Sequence, residues 1–177
     1  DQTFLPNQRF ANEVMKRGAD GQVPAKWWSG WSRPGSRPEQ VRELLGAMRK
    51  MKPQACCRMV GERLGKGEIF AQVIWDAVHL MAGELMMRQP GIYGIHTVTS
   101  VNALHYAFQS AMTPVTRLQL VLQAVGWMVQ FREFMATARG GLKTADILEP
   151  PGQPGKNRRK VSGDREVAEI LARVGSD

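Results

Sequence analysis

Apolar residues recur every three or four positions along most of this chain, and that spacing predicts helix. Between Pro38 and Met51, Val41, Leu44, Leu45, Met48 and Met51 share one face, while Arg42, Glu43, Arg49 and Lys50 lie elsewhere. Pro53 suits the first turn of the next helix, which ends near Leu64 because Gly65 and Gly67 interrupt it. From Glu68 to Arg88 the apolar positions, including Ile69, Val73, Ile74, Trp75 and Val78, run nearly all round, the mark of an interior helix. Gln89-Pro90-Gly91 stops it. Ile92 to Ser110 predicts a further helix, although Val98, Thr99 and Val101 also suit a strand. Thr113-Pro114 is a cap followed by a first-turn proline, opening a helix that runs to Thr137 and stops at Gly140-Gly141. Short helices are expected over Pro6–Lys16 and Arg165–Val174.

These elements predict an all-α protein, a helical bundle. A Trp/Pro/Gly-rich connection, Gly18 to Pro38, lies near its N-terminus, and a basic linker, Pro150 to Asp164, lies near its C-terminus. Three segments follow: 1–37 as N-terminal helix and connection, 38–147 as the helical core domain, and 148–177 as linker and last helix. The 177 residues suffice for one sizeable core. No Met opens the chain, so residue 1 reads as a processing point or a cut.

Charge changes the picture by its placement. The net charge is +8, and residues 1–66 hold thirteen Lys/Arg against six Asp/Glu. Residues 67–138 hold three against four, so the middle of the chain reads as the buried part. The basic excess favours an acidic protein or nucleic acid as partner. No transmembrane span is expected: LQLVLQAVGWMVQF contains three glutamines and is shorter than the roughly 18 apolar residues required. Cys56 and Cys57 are adjacent, which suits neither an ordinary disulfide nor a CxxC motif. They read as reduced and buried, which favours a cytoplasmic setting.

Candidate chemistry sits in the apolar middle. An antiparallel pairing of helices 68–88 and 92–110 about a turn near residue 90 sets Asp76 opposite His105 and His79 opposite Asn102. Asp76 and His79 are three apart on one helix, as are Asn102 and His105 on the other, so all four converge at one level. His96 falls on the opposite side from His105, because nine residues turn through about 900°. A carboxylate beside an imidazole fixes its tautomer and raises its basicity. The expected roles are His105 as ligand or base and Asp76 as its orienting carboxylate. His79 and His105 are the candidate metal ligands, and Trp75, His96, Thr99 and Asn102 line the ligand. Iron, zinc and haem all use such ligands. The alternative is a hydrogen-bonded network that satisfies polar groups inside a helical core.

PAKWWSGWSRPGSRP, Pro24 to Pro38, interleaves Trp27, Trp28 and Trp31 with Lys26, Arg33 and Arg37. It is suited either to stacking bases or a flat ligand beside phosphate, or to pinning the connection on the helical body by its indoles. GKNRRK, Gly155 to Lys160, reads as a solvated basic linker or a docking segment. No nucleotide-binding glycine pattern and no zinc-finger, RNP, KH or helix-turn-helix signature is present.

IHTVTSVNALHYAF, Ile95 to Phe108, resembles a segment of the questin oxidase-like family, in which a His-Xaa-Val-Thr element precedes Ala-Leu and then His or Arg. The later LVLQAVGWM fits the same pattern, and the resemblance covers residues 68–135. It implies an all-α oxidoreductase-like scaffold, a Baeyer–Villiger-type oxidation of an anthraquinone, and roles for His96, Thr99 and His105. Family members are longer, so this chain would correspond to a C-terminal portion or a shortened relative. The basic, Trp-rich first third and the lack of an NADPH-binding signature depart from the family. The functional expectation is an oxidoreductase-like helical protein with a buried His/Asp pocket that binds iron or haem. The alternative is a non-catalytic subunit or interaction module that docks through its basic N-terminal third.

Overall fold

The computed structural model describes residues 3–19, 27–28, 37–138, 140–144 and 147–148. The chain divides into a unit of residues 1–147 and a second unit from Leu148 onward. Within the first unit the protein is an all-α bundle of six helices: α1 (Phe4–Ala19), α2 (Arg37–Lys50), α3 (Pro53–Gly65), α4 (Ala71–Arg88), α5 (Ile92–Ser110) and α6 (Pro114–Thr137). No strand occurs among the described residues. The basic linker and the last short helix expected over 150–174 lie outside them, as does most of the 18–38 connection.

The helix ends follow local chemistry. Thr113 caps α6, its Oγ1 accepting from the Thr116 amide at 3.1 Å, and Pro114 fills a first-turn position where an N–H has no helical partner. Pro53 does the same for α3. The predicted start of α4 at Glu68 is corrected to Ala71. Gly67, at φ +71°, reverses the chain after α3, and Phe70 is extended. Ile69 therefore enters the core from a connection rather than from a helix. Ile92–Ser110 is helical throughout despite its β-branched residues. Thr97 shows how one of these is accommodated: its single hydroxyl proton is shared between Gly94 O at 2.7 Å and Ala82 O on α4 at 3.0 Å.

α4 is the central element and packs against α2, α5 and α6, while α1 lies on α3 and α6. Its buried residues, Val73, Ile74, Trp75, Ala77, Val78, Met81 and Leu85 among them, surround the helix, which fits the all-round apolar pattern. Glu84 is buried on the same helix and is held by Arg49 of α2 and Arg88 of α4. A buried carboxylate needs that much pairing, because removing it from water alone would cost several kcal/mol, roughly. Beside the turn that joins α4 to α5, Gly94 permits a close approach. A Cβ there would stand 2.7 Å from Gln89 O and 3.0 Å from Met86 Cα. Among the described residues no helix is long and apolar enough to cross a membrane.

Candidate functional site: a stacked imidazole pair between α4 and α5

His79 and His105 meet across the α4–α5 seam, with Nε2 of His79 3.0 Å from Nδ1 of His105. Simple residue levels had set His79 opposite Asn102. The shift has a geometric cause: side chains tilt towards the N-terminus of their own helix. In an antiparallel pair, His79 therefore leans away from the connecting turn and His105 leans towards it. The two rings close the gap between their backbone levels.

Trp75, one turn before His79, forms the floor. Its indole stacks on the His105 ring with centroids 4.4 Å apart and planes 11° from parallel. Phe108 meets the same indole edge-on at 5.4 Å. Trp75 itself is fully buried, so it reaches a ligand only through His105 and its neighbours. Its Nε1 is buried with no hydrogen-bond partner among the described residues, an unsatisfied donor beside the imidazoles.

Asp76 corrects the expectation that it orients His105. Its carboxylate is taken by the guanidinium of Arg37, through Nε at 2.7 Å and through Nη2, and by Gln72 Nε2 at 3.0 Å. Arg37 lies thirty-nine residues earlier in the chain, and no local pattern marks this pairing. Asp76 still acts at a distance. Burial lowers the pKa of both imidazoles below 6.5, their mutual repulsion lowers that of His105 further, and the Asp76 charge opposes the shift in each.

The other expected ligand-lining residues do not join the pair. Asn102 is exposed on the outer side of α5. Thr99 is also exposed, and its hydroxyl donates back into its own helix, to Ile95 O at 3.1 Å. His96 faces away from His105, as the helical turn requires, and borders an open groove of about 460 Å³ with Ser100, Trp127, Gln130, Phe131 and Phe134. The residue missed by sequence reasoning is Gln109, whose Nε2 lies 3.5 Å from Nε2 of His105. Its position one turn after His105 was the available signal.

The donor set fits a metal poorly. Two imidazole nitrogens 3.0 Å apart span adjacent positions on one ion, but the described residues contain no group of three His, Cys, Asp or Glu placed to hold one. Asp76, the natural third ligand, is committed to Arg37.

The Trp-rich connection is anchored to the body at its described point. Trp27 is buried, meets Phe108 at 6.3 Å and stands edge-on to Trp28. Arg117 lies over Trp28 at 5.4 Å and over Phe108 at 5.8 Å. Trp31, Lys26 and Arg33 lie outside the described residues. Several basic side chains of the first third are paired internally: Arg49 with Glu84, Lys52 with Glu133, and Arg63 with Glu43 and Glu68. Cys56 and Cys57 are buried free thiols whose pKa burial pushes up to about 12, so neither is a nucleophile near neutral pH.

Comparison of the chain with protein-family models, with curated proteins and with solved structures yields no match.

Proposed function

We propose that the protein is an oxidoreductase-like helical enzyme whose working group is the His79–His105 pair, acting as a metal-free base. The observation that carries the acid–base part is the 3.0 Å contact between ring nitrogens on a fixed indole floor. The oxidoreductase part is supported by the resemblance of Ile95–Phe108 to the questin oxidase-like pattern.

Hydrogen bonding suggests how the pair divides its work. The Gln109 amide N–H points its donor at Nε2 of His105, which favours a lone pair on that nitrogen. His105 then carries its proton on Nδ1 and donates it to Nε2 of His79. In this tautomer Nε2 of His105 is the basic atom. A proton accepted there creates an imidazolium whose charge is shared with His79, faces the Trp75 π-system and lies within reach of the Asp76 field. At rest both rings are neutral because burial disfavours charge. A neutral base that tolerates transient protonation is what general-base catalysis requires.

Docking through the basic first third is the second reading: Arg37, Arg49, Lys52 and Arg63 pair within the fold, while Arg9, Lys16, Arg17, Arg42, Lys50 and Lys66 are exposed on α1, α2 and the end of α3. Salt-sensitive binding of the full chain to an acidic protein or nucleic acid would favour that reading.

The test is an NMR titration of the three histidines with a screen for oxygen consumption on planar phenols and ketones. The expected result is two coupled steps below 6.5 for His79 and His105, and a single step in His79→Gln. Turnover of any substrate found should vanish in His105→Gln while the fold is kept. Independent titration of both rings at ordinary values would overturn the relay. Stoichiometric binding of added zinc, copper or ferrous ion, lost in both variants, would replace it with a metal centre.

A further inference from the structure

The side of α5 that faces away from His79 has no role in the site just described. Among the described residues α5 is the one helix with no Asp, Glu, Lys or Arg, in a chain of net charge +8. Its buried positions, Gly94, Thr97, Val101 and Phe108, lie on one side. The opposite side is Ile92, Ile95, His96, Thr99, Asn102, Ala103 and Tyr106, all exposed. Ile92 is 60% exposed, Ile95 47% and Tyr106 73%. Exposed Met86 and Met87 on α4 and Tyr93 and Phe134 flank one end, and Met112, 93% exposed, lies past the other.

We propose that this face is the contact surface between two copies of the chain, with α5 packed antiparallel on α5 of its partner about a two-fold axis through Thr99. This rests on exposure and residue pattern and is independent of the reading of the histidine pair.

Three observations favour a second copy. First, the face offers no charge, so it does not attract the acidic partner that the rest of the chain would draw. Second, it is complementary to itself. Its positions are spaced symmetrically about Thr99, and reversal sets Ile92 across from Tyr106, Ile95 across from Ala103, His96 across from Asn102, and Thr99 across from Thr99. Ile95 meets the small Ala103, Ile92 and Tyr106 pair two large apolar groups at each end, an imidazole meets an amide, and two short side chains at the centre let the backbones approach. A self-complementary patch is what an isologous dimer requires. Third, the area is sufficient. At about 200 Å² for a large side chain, the exposed apolar groups on and beside α5 present on the order of 900 Å². A standard interface takes about 800 Å² from each partner.

The experiment is sedimentation velocity on the full chain across the micromolar range, with Thr99→Arg and Thr99→Cys beside the unaltered protein. The expected species has twice the 19.7 kDa chain mass. Thr99→Arg should weaken association by a factor on the order of 100, because each copy would bury an unpaired charge. Its circular dichroism should be unchanged, since Thr99 is exposed on the chain and hydrogen-bonds only within its own helix, and its melting temperature should fall only as far as that of the unaltered protein diluted to monomer. Mild oxidation should link Thr99→Cys into a covalent dimer, whereas Lys50→Cys, exposed on α2, should not link. The buried Cys56 and Cys57 supply no background. A monomer throughout the range would overturn the proposal and leave the face to a different protein. A dimer that survives Thr99→Arg, with Thr99→Cys left unlinked, would place the interface elsewhere.

Discussion

The two sides of α5 are built from similar residue types and behave differently. Each carries a histidine, a threonine and an aromatic ring. On the inner side, Thr97, His105 and Phe108 are each tied to a partner on α4: the Ala82 carbonyl, the His79 ring and the Trp75 indole. On the outer side, His96, Thr99 and Tyr106 are exposed, and Thr99 bonds only within its own helix. Chemistry depends less on which residues a helix carries than on which of them find fixed partners across a seam. The inner histidine has a depressed pKa and a set orientation because burial and packing impose both.

That contrast can be broken from either side. Trp75→Ala should have the largest effect, because it removes the floor under His105 and leaves a cavity at the α4–α5 seam. A loss of about 3–5 kcal/mol is expected in urea unfolding. Gly94→Ala should follow at about 1–3 kcal/mol, since its Cβ would meet Gln89 O and the Met86 backbone rather than a flexible side chain. Thr97→Val should cost about 1 kcal/mol through the lost bond to Ala82, whereas Thr99→Val on the outer face should stay within about 0.5 kcal/mol.

Acid should separate the two sides more subtly. The folded pKa values of His79 and His105 lie below the unfolded value near 6.5, so between these limits the unfolded chain binds more protons. Their contribution to stability is complete above 6.5 and is lost as pH falls towards the depressed values. When both rings are protonated, neither nitrogen of the 3.0 Å pair can accept a hydrogen bond. Melting temperature should therefore drop below pH 6.5 in the unaltered protein, and the drop should shrink in the His79→Gln, His105→Gln double variant.

Periodicity was enough to read the helices of the core, because each bears a face that must be buried and a chemically marked end. Thr113-Pro114 and Pro53 placed two starts. The start of α4 was misread because Ile69 and Phe70 continue an apolar pattern, and composition does not show that Gly67 turns the chain before them. For the site, spacing identified the seam and its histidines but mispaired them. Residue levels locate Cα atoms, while the rings that meet are displaced along the helices by the tilt of their side chains. The fate of Asp76 was not legible, since Arg37 reaches it from a distant helix whose packing on α4 is decided by the whole core. The burial of Trp27 against Phe108 belongs to the same class of long-range fact.

The adjacent cysteines have a practical consequence. Both thiols are buried and held protonated, with pKa values pushed up to about 12. A thiol-specific dye can therefore label them only when α1 or α6 lifts from α3, or the chain opens altogether. Labelling rate becomes an internal clock for those openings, readable on the unaltered protein without an added probe. If both thiols react together at the rate of global unfolding, the bundle opens as one unit. If they react sooner, the packing of α1 and α6 on α3 is where the protein first comes apart.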